Sequence, residues 1–144
     1  MQFPTSPKIS RKIMNMDYSL EKYDTFAAMA EKDPNTLVSL MNNKETSDDD
    51  LIILAESAGL IADEGKVVPT LLKLLDHKNP EVREAAVYGI GCFISETVTD
   101  ALIDVIAHDE NETVKEAARN MPAVEYLLET IDSSGVEGDE DGSD

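Results

Sequence analysis

The sequence predicts an all-α fold, a short stack of two-helix units. Three observations carry this. The block "VREAA" at 82–86 returns as "VKEAA" at 114–118, and Leu74-Leu75 returns as Val105-Ile106. Self-similarity at a period of about 30 residues is the mark of stacked repeats. Apolar residues also recur at helical spacing, each set on a single face, and no segment alternates apolar and polar residues long enough to argue for a strand.

The elements follow in order. Residues 1–16 read as an irregular basic arm: Pro4 and Pro7 disfavour helix, and Lys8, Arg11 and Lys12 are accompanied by no acid. "MDYSLEKYDTFAAMAEK" (16–32) is expected to be a helix covering the open end of the stack. A first unit combines "PNTLVSLMNN" with "DDDLIILAESAGLIADE", so that Leu40-Met41 corresponds to Leu74-Leu75 and Leu54-Ala55 to Ala85-Ala86. Asp48, Asp49 and Asp50 lie where the second helix of that unit begins, and negative charge is stabilising there.

In the second unit Val67, Val68, Leu71, Leu72, Leu74 and Leu75 form a stripe, with Pro69 expected in the first turn. The helix should stop at "DHKN". Asn79 then caps a new helix opened by Pro80, in which Val82, Ala85, Ala86, Gly89 and Phe93 share one face. The two alanines are small because the A and B helices must approach closely there, and Gly89 on the same stripe permits close approach. Gly91 lies off that face and costs about 1 kcal/mol relative to Ala. It is read either as a place where a ligand backbone comes near or as drift without a role.

In the third unit Val98, Ala101, Leu102, Val105 and Ile106 precede the turn "HDENE", and Val114, Ala117, Ala118 and Met121 follow it. After Pro122, "AVEYLLETI" (123–131) should close the far end, making 17–131 one repeat domain. "DSSGVEGDEDGSD" (132–144) holds a single aliphatic residue and reads as a disordered acidic tail.

The net charge is −18, from 30 acidic and 12 basic residues, and no basic residue follows Arg119. Such a field argues against direct binding of nucleic acid or an anionic membrane, and speeds encounter with a basic partner. Cys92 is the only cysteine, so no disulfide can form within the chain, which fits a reducing compartment. The uncharged run from Ala85 to Ser95 is far short of the ~20 residues of a membrane span, and the N-terminus has no continuous apolar core. The expectation is a soluble, cytoplasmic protein.

Candidate chemistry is sparse. His77 and His108 are read as occupying matching positions at the ends of their A helices, with Asp76, Asp109 and Glu110 nearby, but a histidine at a helix C-terminus already interacts well with exposed carbonyls. Cys92 lies in an apolar segment and reads as a buried, inert thiol. The tail lacks the spacing of a calcium loop, and there is no phosphate loop or zinc motif. No catalytic residue, metal or cofactor is therefore expected.

The order "VPTLLKLLDHKNPEVREAAVYGIG" resembles a HEAT or HEAT-like repeat: a Leu-rich A helix, Asp, Pro, Val-Arg opening a B helix, paired small residues, then Ile-Gly. The resemblance covers roughly 34–121 and is closest over 67–96. The unit at 34–64 lacks the Val-Arg/Lys pair. It implies a short right-handed α-α superhelix of about three hairpins with flanking cap helices. It also implies a ladder of Arg83 and Lys115 with Asp76 and neighbouring acids, and B helices lining a groove that grips a partner protein.

On the outward side of the B helices the expected partner-binding residues are Glu84, Val87, Tyr88, Gly91 and Ile94, with Glu116, Arg119 and Asn120 downstream and Glu56 and Ser57 upstream. Val87, Tyr88 and Ile94 would form an apolar centre with an acidic rim. The function implied is a non-enzymatic interaction module or adaptor for a protein with a basic or mixed-charge segment. The alternatives are an acidic nucleic-acid mimic that inhibits a DNA- or RNA-binding protein, and a HEAT-like lyase or base-directed enzyme, for which no residue set is present.

Overall fold

A computed structural model describes residues 7–127 and 129, with side chains from residue 20 onward. The expected acidic tail, residues 1–6 and most of the end of the 123–131 helix lie outside the described residues. Among those described there is no strand.

Three helical hairpins stack in order. They are α2 (Pro34–Met41) with α3 (Asp48–Ser57), α4 (Glu64–Leu74) with α5 (Pro80–Ile90), and α6 (Glu96–His108) with α7 (Glu112–Arg119). Each start is capped by a short polar side chain that accepts a backbone N–H two or three residues ahead: Asp33, Ser47, Asp63, Asn79, Ser95 and Asn111. The expected Asn79 cap with Pro80 at the first helical position is present.

Two prolines behave differently from expectation. The first sixteen residues are not all irregular, because α1 (Pro7–Lys32) begins at Pro7. A proline breaks a helix only from within, and at the first position its missing N–H costs nothing. Conversely, Pro69 is not in the first turn. Asp63 accepts the Gly65 N–H at 3.0 Å and starts α4 earlier, which leaves Pro69 inside the helix. It lies on the exposed side, where solvent can supply the hydrogen bond it removes.

The interior is a continuous aliphatic seam. Leu37, Leu54, Leu71, Val82, Ile90, Leu102 and Val114 are among its buried members. The B helices α3, α5 and α7 form a packed row. Gly89 sets their spacing: a Cβ there would lie 2.1 Å from the Ala55 carbonyl oxygen, so α5 touches the α3 backbone directly. The close approach expected of this glycine is therefore between two B helices. The A helices α2 and α4 also pack, tied by Asn42 Nδ2 donating to the buried Thr70 hydroxyl at 3.1 Å. α1 crosses α2 and α3 and seals the N-terminal end with Phe26 and Ala30, while residues 122–127 form a helix that buries Val124 at the other end.

The polar ladder differs from the one the resemblance implies. Arg83 does not engage Asp76. It reaches forward to Asp109 in the next hairpin through Nε (2.9 Å) and Nη2 (3.2 Å), while Nη1 donates to the His77 carbonyl at 2.8 Å. The Arg83 and Asp109 side chains are only 16% and 6% exposed. Lys115 holds the equivalent place in the third hairpin and faces Glu112 of its own helix at 3.7 Å.

Candidate functional site: the outward face of the B helices

Once α5 is sandwiched between α3, α4 and α7, little of it stays open. Its free arc is a narrow strip including Glu84 and Tyr88. Tyr88 is 42% exposed, and its hydroxyl donates to Glu84 Oε2 at 3.3 Å. Partial burial pushes the Tyr88 pKa up, helped by the Glu84 carboxylate and then by the charge of Glu56. Between α5 and α7 this strip borders a groove of about 250 Å³, lined by Glu84, Tyr88, Glu112, Thr113, Glu116, Ala117 and Asn120. The strip continues towards α1, where the Tyr23 hydroxyl donates to Glu56. Burial, with that hydrogen bond and charge, pushes the Tyr23 pKa up to about 12.

Of the ten residues expected on this face, the fold brings four together at the groove: Glu84, Tyr88, Glu116 and Asn120. Val87 and Gly91 are corrected, since both are buried. The single stripe read along α5 accounts for its contact with α3 and α4 but not for α7, which covers a second arc. Gly91 is neither drift nor a ligand contact. A Cβ there would meet Met121 Sδ at 2.2 Å, so the glycine makes room for the thioether that follows α7.

Ile94 is 74% exposed but lies away from Tyr88, in a separate apolar cleft with Thr99, Pro122 and Tyr126. Arg119 matches Val87 by the 32-residue repeat but is half-exposed, and it pairs with Glu116 at 3.9 Å. Upstream, Ser57 is buried. Glu112, Thr113 and Ala117 line the groove without having been anticipated. The spacing 112, 116, 120 places Glu112 on the same helical face as the two expected residues, and that signal was present in the sequence.

The histidines do not match each other. His77 and Asp109 are the equivalent pair, each accepting the backbone N–H two residues on, from Asn79 at 3.0 Å and Asn111 at 2.8 Å. His77 Nε2 lies 3.7 Å from Asp48, whereas His108 pairs with Asp104 of its own helix. Among the described residues no group of three or more His, Cys, Asp or Glu could hold a metal ion. Cys92 is exposed rather than buried; its sulfur packs over Gly59, and partial burial raises its pKa, which lowers the thiolate fraction.

Hairpins stacked through a shared aliphatic seam, with one row of helices left open, define a helical repeat protein of the α-solenoid class. The family model for HEAT repeats matches residues 34–121, well over half of the chain and inclusive of the first hairpin. The chain belongs to the HEAT repeat family, whose repeats generally mediate association between proteins. No curated protein and no solved structure matches it. No helix among the described residues is long and apolar enough to cross a membrane.

Proposed function

We propose that this chain is a non-enzymatic interaction module that holds a basic or mixed-charge segment of another protein against its B helices. The observation that carries this is the groove itself, an exposed tyrosine ring set among Glu84, Glu112 and Glu116. An aromatic centre with a charged rim is the anatomy of a recognition patch. The glutamates favour a cationic segment, and the ring offers a face on which a guanidinium or ammonium group can stack. With one cysteine and a strong negative field, the cytoplasm is the compartment this chemistry suits.

The test uses fluorescence anisotropy with labelled peptides, one Arg/Lys-rich and one of the same length with its cations replaced by Gln. The basic peptide should bind the full chain and lose most of its affinity to Tyr88→Ala and to Glu84→Gln/Glu116→Gln. Equal binding of both peptides, or no effect of either variant, would reject the groove as the binding face.

A further inference from the structure

Most of the described cations of this acidic chain are already held. Lys22, Arg83, Lys115 and Arg119 each pair with a carboxylate, and Lys66 donates to Asn35 at 3.2 Å. Lys44, Lys73 and Lys78 differ. None of them has an ion-pair partner among the described residues, and all three line one cleft of about 390 Å³ where the first two hairpins turn.

The repeat explains why they meet. Leu40-Met41 corresponds to Leu74-Leu75 at a shift of 34 residues, and the same shift carries Lys44 onto Lys78. Equivalent positions in stacked hairpins lie about 8–10 Å apart, the spacing of packed helices, a gap that two long lysine stems can close on one group between them. Lys73 joins them from the last turn of α4. In the third hairpin the 32-residue shift puts Glu110 where Lys78 stands, so the cationic edge ends with the second turn.

The charge of this cleft is the reverse of that of the B-helix groove, with which it shares no residue. The groove holds three glutamates. The cleft holds three lysines and one acid, Asp48. That acid is engaged from the side: Asn79 Nδ2 donates to its Oδ2 at 3.1 Å, and His77 Nε2 stands 3.7 Å from its Oδ1. Glu45, Asp49 and Asp76 belong to the same turns without lining the cleft. Asn43 adds a donor, since its Oδ1 accepts the Glu45 N–H at 2.8 Å while its Nδ2 has no acceptor among the described residues. A cation beside the carbonyl end of a helix is favourable, which accounts for Lys73. Lys44 and Lys78 lie beyond the ends of α2 and α4.

We propose that this cleft binds a phosphate monoester, the phosphorylated serine or threonine of another protein. Such a group carries about −1.5 to −2 charges and three acceptor oxygens, which three ammonium groups and an amide match in sign and number. The chain's charge of −18 selects a compact anion. At about 0.15 M salt the attraction of the lysines is screened beyond about 8 Å, and an extended polyanion would there lie against carboxylates. A single phosphate stays within reach of the lysines. A protein source suits a family whose repeats mediate association between proteins. The site is independent of the B-helix groove.

Titration of the isotope-labelled full chain with a blocked Gly/Ala peptide bearing one central phosphoserine tests this, followed by amide NMR. Saturable shifts are expected at Asn43, Lys44 and Lys78, with at least about tenfold weaker binding of the same peptide carrying serine. Lys44→Gln/Lys78→Gln should weaken binding about tenfold, and Lys44→Arg/Lys78→Arg should retain it. Lys32→Gln, which removes an exposed lysine outside the cleft, should leave it unchanged. The substituted lysines are exposed, so the fold should survive, and far-UV circular dichroism checks that it does.

Equal binding of the two peptides, shifts confined to other residues, or wild-type affinity in Lys44→Gln/Lys78→Gln would overturn the inference. Tighter binding of inorganic phosphate than of the phosphopeptide would assign the cleft to free phosphate and overturn a protein ligand. Tighter binding of a single-stranded DNA oligonucleotide or of phosphatidylserine vesicles through the same lysines would overturn the compact anion.

Discussion

Replacing Gly89 with alanine sets two physical effects against each other. Helix propensity alone favours the change by about 1 kcal/mol, since Gly89 lies inside α5. Packing opposes it. The added Cβ would lie 2.1 Å from the Ala55 carbonyl oxygen and 3.2 Å from Leu71 Cδ2. The first of these is backbone, which no rotamer can move aside, so α3 and α5 must separate by roughly an ångström along the most extensive helix contact in the stack. Overpacking of this kind costs about 1–3 kcal/mol, and more where backbone must shift.

The net expectation is destabilisation by about 1–3 kcal/mol, a fall in melting temperature of about 2–4 °C per kcal/mol for a chain of this size. Two internal controls grade the effect. In Gly91→Ala the close atom is the sulfur of Met121, which can swing away, so the loss should be smaller. In Gly65→Ala the nearest atom is 3.3 Å away and the helix is exposed there, so propensity should win and the variant should gain stability. Urea denaturation followed by far-UV circular dichroism ranks the three. A Gly89→Ala protein as stable as Gly65→Ala would refute direct backbone contact between the B helices.

Arg83→Met should cost about 3 kcal/mol, because it strands the nearly buried Asp109 and two carbonyl acceptors, whereas Lys115→Met should cost under about 0.5 kcal/mol. Similar shifts in denaturant midpoint for the two would show that Arg83 is not an inter-repeat clasp. Tyr23 is expected to resist ionisation. Its folded pKa is raised from 10.0 to about 12, so its stabilising contribution is complete below pH 10 and is lost as pH rises through about 12. The stability gap between wild type and Tyr23→Phe should therefore narrow over that window; a constant gap, or a tyrosinate absorbance transition at pH 10, would remove the Tyr23–Glu56 bond from the account.

The repeat grammar was legible because each hairpin buries one stripe against its own partner helix, and that stripe has a period sequence can display. Val82, Ala86, Val114 and Ala118 are buried as their spacing demands. Asn79 and Pro80 announce a helix start through local chemistry alone. The candidate site was only half legible. Glu84, Tyr88, Glu116 and Asn120 share a groove, but Val87 and Gly91 looked equally open, since nothing in the periodicity of α5 says that α7 covers its second arc.

The sequence by itself determined an α-helical stack of three hairpins, its capped starts and the small residues that let helices close. Those are consequences of local backbone chemistry and of burial at a fixed helical period. Only the tertiary structure decided which surface stays free, because that depends on how each helix is shared between neighbours. It sent Ile94 to a different cleft from Tyr88, turned Arg83 forward to Asp109, and left Arg119 half-exposed where its repeat-mate Val87 is buried.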